Sequence, residues 1–180
     1  ADIRERIEAV QQKAGFVPNV FLALAHRPDE WRAFVAYHDA LMEKDPRPGV
    51  TLTRAEREMI VVATSGANHC QYCVVAHGAI LRIRAKNPLI ADQVAINPRK
   101  ADLDARQHAM LDFAMRVATE SHTVTEHDMQ VLRGHSFTGD DIWDIAAITA
   151  FFAMSNRLAN VSGMRHNDEF YLMGRVPKAK

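Results

Sequence analysis

A chain of 180 residues with 22 basic and 22 acidic side chains has no formal net charge. That argues against a general nucleic-acid binder, which needs a basic surplus to neutralise phosphates. Its 48% hydrophobic and 24% charged residues are ordinary for a soluble globular protein, and the length suits one domain over residues 1–180 that folds without a disulfide or metal. The longest apolar run, Ile142 to Met154, contains Asp144 and is shorter than the roughly 20 residues needed to span a bilayer. The charged opening ADIRERIEAV is no secretory signal, so the expectation is a cytoplasmic protein with neither membrane nor nucleic-acid partners.

In chain order the sequence reads as helix after helix, and no stretch shows the sustained alternation of a strand. Ile3 to Ala14 is amphipathic and ends at Gly15. Pro18 to Ala25 is short. Pro28 opens a helix to Glu43 with Trp31, Phe34, Val35 and His38 on one face. The stretch from Asp45 to Gly49 reads as a loop. Thr53 and Glu56 form a capping-box pattern for a helix from Arg54 to Gly66. The next helix starts at His69 or Cys70 and runs to Ala85, where Asn87-Pro88 stops it. Leu89 to Ile96 is short and closes at Asn97-Pro98. A long helix is expected from Asp102 or Leu103 to Ser121, a short one from Thr125 to Arg133, and a very apolar, central one from Ile142 to Asn160. The tail after Gly163 carries no strong signal.

The stretch NHCQYCVVAHGA, Asn68 to Ala79, holds both cysteines of the chain. On a helix Cys70, Cys73 and His77 share a face, and the two cysteine Cα atoms lie about 5 Å apart, within reach of a disulfide. As a structural staple the pair is poor: so short a loop contributes only roughly 2 kcal/mol. Two small buried hydrophobes are a second plain reading. A third is a zinc set of Cys70, Cys73, His77 and His69, although zinc sites usually draw on two separated pieces and no second cysteine pair exists.

Thiol redox chemistry is the functional reading, and it needs a thiolate. A free thiol is only about 3% ionised at pH 7. Cys70 at a helix N-terminus gains from the dipole, and His77, one turn after Cys73, can accept a proton. A carboxylate that orients the base completes such a site. Glu56 is occupied by the cap, whereas Glu58 sits at the margin of an apolar face and is the candidate partner.

Taken together, TRAEREMIVVATSGANHCQYCVVAHGAILR resembles the core of the AhpD-like alkylhydroperoxidase family, within the carboxymuconolactone decarboxylase-like superfamily. The carrying pattern is a glutamate, a CxxC pair twelve residues on, and a histidine four after the second cysteine, met here by Glu58, Cys70, Cys73 and His77. GFVPNVFLALAHRPDEWRAFVAYHDALM and FFAMSNRLANVSGMR resemble the peroxidase-related branch, so the likeness covers most of the chain. It implies an all-α fold of about seven to eight helices, a redox core near residues 50–86 and a homo-oligomer, trimeric or hexameric. It also implies peroxide reduction without a cofactor, with an external dithiol or protein reductant and Glu58, His77 and the cysteines as the proton relay. One position departs: family members carry a second histidine before the second cysteine, and this chain has Tyr72, which does not titrate near neutrality.

In the expected chemistry His77, oriented by Glu58, deprotonates a cysteine; the thiolate becomes a sulfenic acid and the other cysteine closes a disulfide. With His77 one turn away, Cys73 is the expected attacking thiol and Cys70 the resolving one, although the helix terminus favours the opposite order. A dithiol–disulfide exchanger, a redox sensor and a metal-binding scaffold are the rivals. His26, His38, His108, His122, His127, His135 and His166 show no partner spacing, and Arg157 is expected to pair with a carboxylate, within the chain or across a subunit contact.

Overall fold

The computed structural model describes residues 2–43 and 49–175. Most of the expected loop from Asp45 to Gly49 lies outside the described residues. Those described form ten α-helices and no strand: α1 (Asp2–Ala14), α2 (Asn19–Leu24), α3 (Pro28–Met42), α4 (Arg54–Ala67), α5 (Gln71–Ala85), α6 (Ile90–Ile96), α7 (Ala105–Glu120), α8 (Glu126–Gly134), α9 (Gly139–Ser162) and α10 (Glu169–Leu172). Eight of them have seven residues or more. None is long and apolar enough to cross a membrane.

The centre is α4, buried without interruption from Glu56 to Ser65 and packed against α5, α6, α7 and α9. A helix enclosed on all sides cannot be amphipathic in the usual way, and its polar groups must find partners inside. The expected capping box forms: the Glu56 N–H donates to Thr53 Oγ1 at 3.1 Å and the Thr53 N–H to Glu56 Oε2 at 2.8 Å. Arg106 of α7 then donates to Glu56 Oε1 at 2.6 Å. Asp141, in the first turn of α9, accepts from the Thr51 and Leu52 amides at 2.7 and 2.9 Å, so the entry to α4 is tied to the start of α9.

The α4–α5 turn places the cysteines. Its hydrogen bonds, His69 N–H to Gly66 O at 3.0 Å and Cys70 N–H to Ser65 O at 2.9 Å, are those of a Schellman motif. The left-handed position is taken by His69 at φ +52° rather than by the usual glycine. Glycine serves the close approach one turn earlier instead. A Cβ on Gly66 would stand 2.6 Å from the Ala95 carbonyl oxygen of α6. Gly66→Ala is therefore expected to lower stability by about 1–3 kcal/mol, read as an earlier urea midpoint at unchanged slope.

Four expectations are corrected. Cys70 is not in a helix: it is the N-cap of α5, at φ −92° and ψ 97°. α7 starts later, because Asp104 and Gln107 form a capping box. α9 runs on to Ser162, where Gly163 turns left-handed at φ +65°. The tail is ordered through tertiary bonds: Arg82 of α5 donates to the Met173 and Phe170 carbonyls at 2.9 and 2.8 Å, and Phe170 stacks edge-on against Phe16 at 5.0 Å.

Candidate active site

α4 and α5 bring Glu58 and His77 together across the helix pair. His77 Nδ1 lies 2.7 Å from Glu58 Oε2, and Glu58 is 1% exposed. A carboxylate this deep needs compensation. Besides His77 it has Arg84, two turns further along α5, whose Nη1 stands 3.6 Å from Glu58 Oε1. The other side of the imidazole packs edge-on against Phe152 of α9 at 4.7 Å. One ring nitrogen is thus tied to a carboxylate and the ring is held in an apolar slot, the arrangement that orients a base.

The cysteines are both reduced and both buried, Cys70 at 0% and Cys73 at 2% exposure. They are not equivalent. Hydrogen bonding from the Cys73 thiol holds Cys70 below the ordinary thiol range, at about 7, with further help from Asn156 and from the Cys73 and Tyr72 amides. Those amides face the sulfur from the first turn of α5 without closing a full capping bond, so their contribution is that of oriented dipoles. The same pairing, together with burial, pushes the Cys73 thiol up. Cys73 Sγ has Ser155 Oγ at 4.0 Å. Both directions favour Cys70 over Cys73 as the thiol that ionises first.

Asn156 of α9 is fully buried and fixed in orientation. Its Oδ1 accepts from Asn68 Nδ2 at 2.9 Å and its Nδ2 donates to Ser65 Oγ at 3.0 Å, leaving the amide beside both sulfurs. Tyr72 turns elsewhere: its hydroxyl accepts the Val20 N–H at 3.1 Å, and burial pushes it up, out of any relay near neutrality. His69 is exposed, so the four-residue zinc set is not assembled. Among the described residues no three His, Cys, Asp or Glu side chains gather as metal ligands.

The carboxymuconolactone decarboxylase family profile matches residues 28–89, the span that carries Glu58, both cysteines and His77. Over the whole fold the chain superposes on the AhpD alkylhydroperoxidase-core, peroxidase-related protein of Ralstonia eutropha JMP134 with a TM-score of 0.95 and 70% identity, across 98% of this chain and 91% of that one. The chain belongs to the AhpD-like carboxymuconolactone decarboxylase superfamily. A second relative, the peroxidase-related protein of Silicibacter sp. TM1040, has a TM-score of 0.91 and 41% identity, covering 97% of this chain and 89% of that one. The debrominase Bmp8 shares the AhpD-like fold at 18% identity and a TM-score of 0.72, over 94% of this chain and 88% of that one. No curated protein matches the chain.

Three groups of this AhpD-like site escaped sequence reasoning. His38 of α3, expected to be a bystander, has its ring 6.2 Å from that of His77 and Nδ1 3.2 Å from Asp39 Oδ1. Its signal was a histidine on an apolar face. Asn156 was visible as a polar residue within the apolar run of α9. Arg84 follows His77 by seven residues, on the same face of α5. Arg157, by contrast, meets no carboxylate among the described residues; it donates to the Ala153 carbonyl of its own helix at 2.7 Å.

Proposed function

We propose that this protein is a thiol-dependent peroxidase that reduces alkyl or hydrogen peroxides through Cys70 and Cys73. The observation that carries the reading is the buried Glu58–His77 hydrogen bond, one helical turn beyond a cysteine pair whose first member caps the same helix. The Cys70 thiolate attacks the terminal oxygen of the peroxide and the O–O bond breaks. Cys70 becomes a sulfenic acid and the alkoxide leaves to be protonated. Cys73 then gives its proton to His77, whose positive charge Glu58 offsets. The new thiolate displaces hydroxide from the Cys70 sulfur, forming the disulfide; hydroxide takes the proton back from the imidazolium as water. An external dithiol restores both thiols by exchange. In this scheme Cys70 attacks and Cys73 resolves, because the anion rests at the helix terminus and the base sits beside Cys73 in sequence.

The test is mass spectrometry of cysteine states after limiting peroxide, with turnover measured in parallel. One disulfide per peroxide consumed, with continuing turnover on a small dithiol, is expected. Disulfide formation without peroxide turnover would instead favour a dithiol–disulfide exchanger or sensor.

The same reading includes a homo-oligomer. α9 is apolar on its outer face as well: Trp143, Met154, Leu158 and Val161 are exposed at helical spacing, Val161 at 89%. Contiguous exposed apolar surface of this kind marks an interaction face. Met154→Glu with Leu158→Glu is expected to reduce the particle mass in light scattering to that of one chain. An unchanged mass would remove this face from the assembly.

A further inference from the structure

In every cycle of the proposed reaction a proton has to enter the buried site and another has to leave it. Cys70 thiolate, Cys73 thiol and peroxide give a disulfide, an alkoxide and water, so one proton is taken up when the alkoxide becomes an alcohol. Reduction by a dithiol returns Cys70 as a thiolate and Cys73 as a thiol, and releases one proton. Both sulfurs are buried, and a charge does not cross apolar packing without groups to carry it. Glu58 is buried too, with its Oε2 held 2.7 Å from His77 Nδ1. The side chain of His77 is 12% exposed. The next titratable group outward is His38 of α3, whose side chain is 28% exposed.

The two imidazoles stand along one aromatic wall. Their centres are 6.2 Å apart, and Phe152 of α9 lies against both, 4.7 Å from His77 and 6.3 Å from His38. Each ring also has its own carboxylate. His38 Nδ1 lies 3.2 Å from Asp39 Oδ1, and Asp39 accepts in turn from Arg6 of α1 at 2.7 Å. The hydrogen bond from His38 and the charge of Arg6 hold the Asp39 carboxyl below its usual range. A carboxylate only accepts, so each neutral ring keeps its proton on Nδ1 and a lone pair on Nε2. The separation is too long for a direct hydrogen bond between the rings and within the reach of one water that donates to both Nε2 atoms. Arg84 of α5, 2.6 Å from Glu43 and 3.6 Å from Glu58, stays protonated and cannot act as the carrier.

We propose that His38 carries protons between solvent and His77 through one water held between the two Nε2 atoms. Resting on the peroxidase reading, it adds a residue of a third helix to the relay. In the oxidising half a proton enters on His38, crosses to His77 and goes on to the departing alkoxide. His77 is then neutral and ready to accept the proton of Cys73. In the reducing half one proton returns to solvent by the same route. Asp39 does for His38 what Glu58 does for His77: it fixes the tautomer and offsets the charge while the proton is in transit.

The experiment compares the native full-length protein with His38→Ala and His38→Gln, using hydrogen peroxide and dithiothreitol. In His38→Ala kcat is expected to fall about 100-fold, the lower end of what a proton-transferring group contributes. Added imidazole, which fits the space left by the side chain, should restore part of the rate. Pyrazole, of the same shape but a far weaker base, should not. His38→Gln keeps a polar side chain that cannot titrate and should lose as much as His38→Ala. An unchanged kcat in either variant, a loss that imidazole does not restore, or equal restoration by imidazole and pyrazole overturns the inference. A second assay needs no peroxide: the Cys70–Cys73 disulfide is formed with diamide and its reduction by dithiothreitol, which releases the same proton, is followed. If no peroxide is turned over but this reduction slows in His38→Ala and recovers with imidazole, the peroxidase falls and the His38 route stands. If the native protein turns over peroxide and His38→Ala matches it in both assays, the route falls and the peroxidase stands.

Discussion

Cys70→Ser is expected to abolish peroxide turnover and to remove the early-reacting thiol; Cys73→Ser is expected to abolish turnover but keep a single, stoichiometric oxidation. The asymmetry follows from where the charge sits. Cys70 caps α5 and is held at about 7 by Cys73 and Asn156, whereas burial and the same pairing push Cys73 up. Alkylation of the native protein by iodoacetamide should therefore proceed at Cys70 with a midpoint near pH 7, below the about 8.5 of a free thiol. The sign is fixed: protonation removes the nucleophile, so the rate falls as pH drops through that value and levels off above it. In Cys73→Ser the largest cause of the lowering is altered, and the midpoint should rise. A midpoint at the free-thiol value in the native protein, or early alkylation at Cys73, would reverse the assigned order.

Glu58→Gln should cost about 100- to 10,000-fold in kcat, the usual worth of a positioned acid–base group, while hydrogen peroxide still oxidises Cys70 once. The amide keeps the shape and can still hydrogen-bond to His77 Nδ1, but it carries no charge to offset the imidazolium formed when Cys73 gives up its proton. Disulfide closure, read by stopped flow after a peroxide pulse, is the step that should slow. It also leaves Arg84 without its buried counter-charge, so some loss of stability accompanies the change. Glu58→Asp tests the alternative that the residue only packs: it restores charge at a shorter reach and should recover part of the closure rate. An unchanged closure rate in Glu58→Gln would remove the carboxylate from the chemistry.

Much of this was legible from spacing. Thr53 and Glu56 mark the start of α4 because a capping box is a contact between residues three apart. Cys73 and His77 fall on one face because a helix repeats every 3.6 residues. The late start of α7 was written in the same code: Asp104 and Gln107 also stand three apart. α10 was not legible, since four residues are too few for a helix to form without tertiary support; Arg82 and the Phe16 ring supply it. His38 read as a histidine without a partner and Asn156 carried no local mark, because nothing local separates a side chain beside a relay from one packed against a neighbour.

The sequence by itself determined the longer helices to within a few residues of their ends, the family resemblance and the spacing of Glu58, Cys70, Cys73 and His77, because helix hydrogen bonds and caps join residues a few positions apart. Only the tertiary structure decided that α9 lays Asn156 and Ser155 against the sulfurs, that α3 brings His38 to His77, and that α1 to α3 line a cavity beside the relay. Those contacts join segments tens of residues apart, and they depend on how helices cross, which no local periodicity encodes.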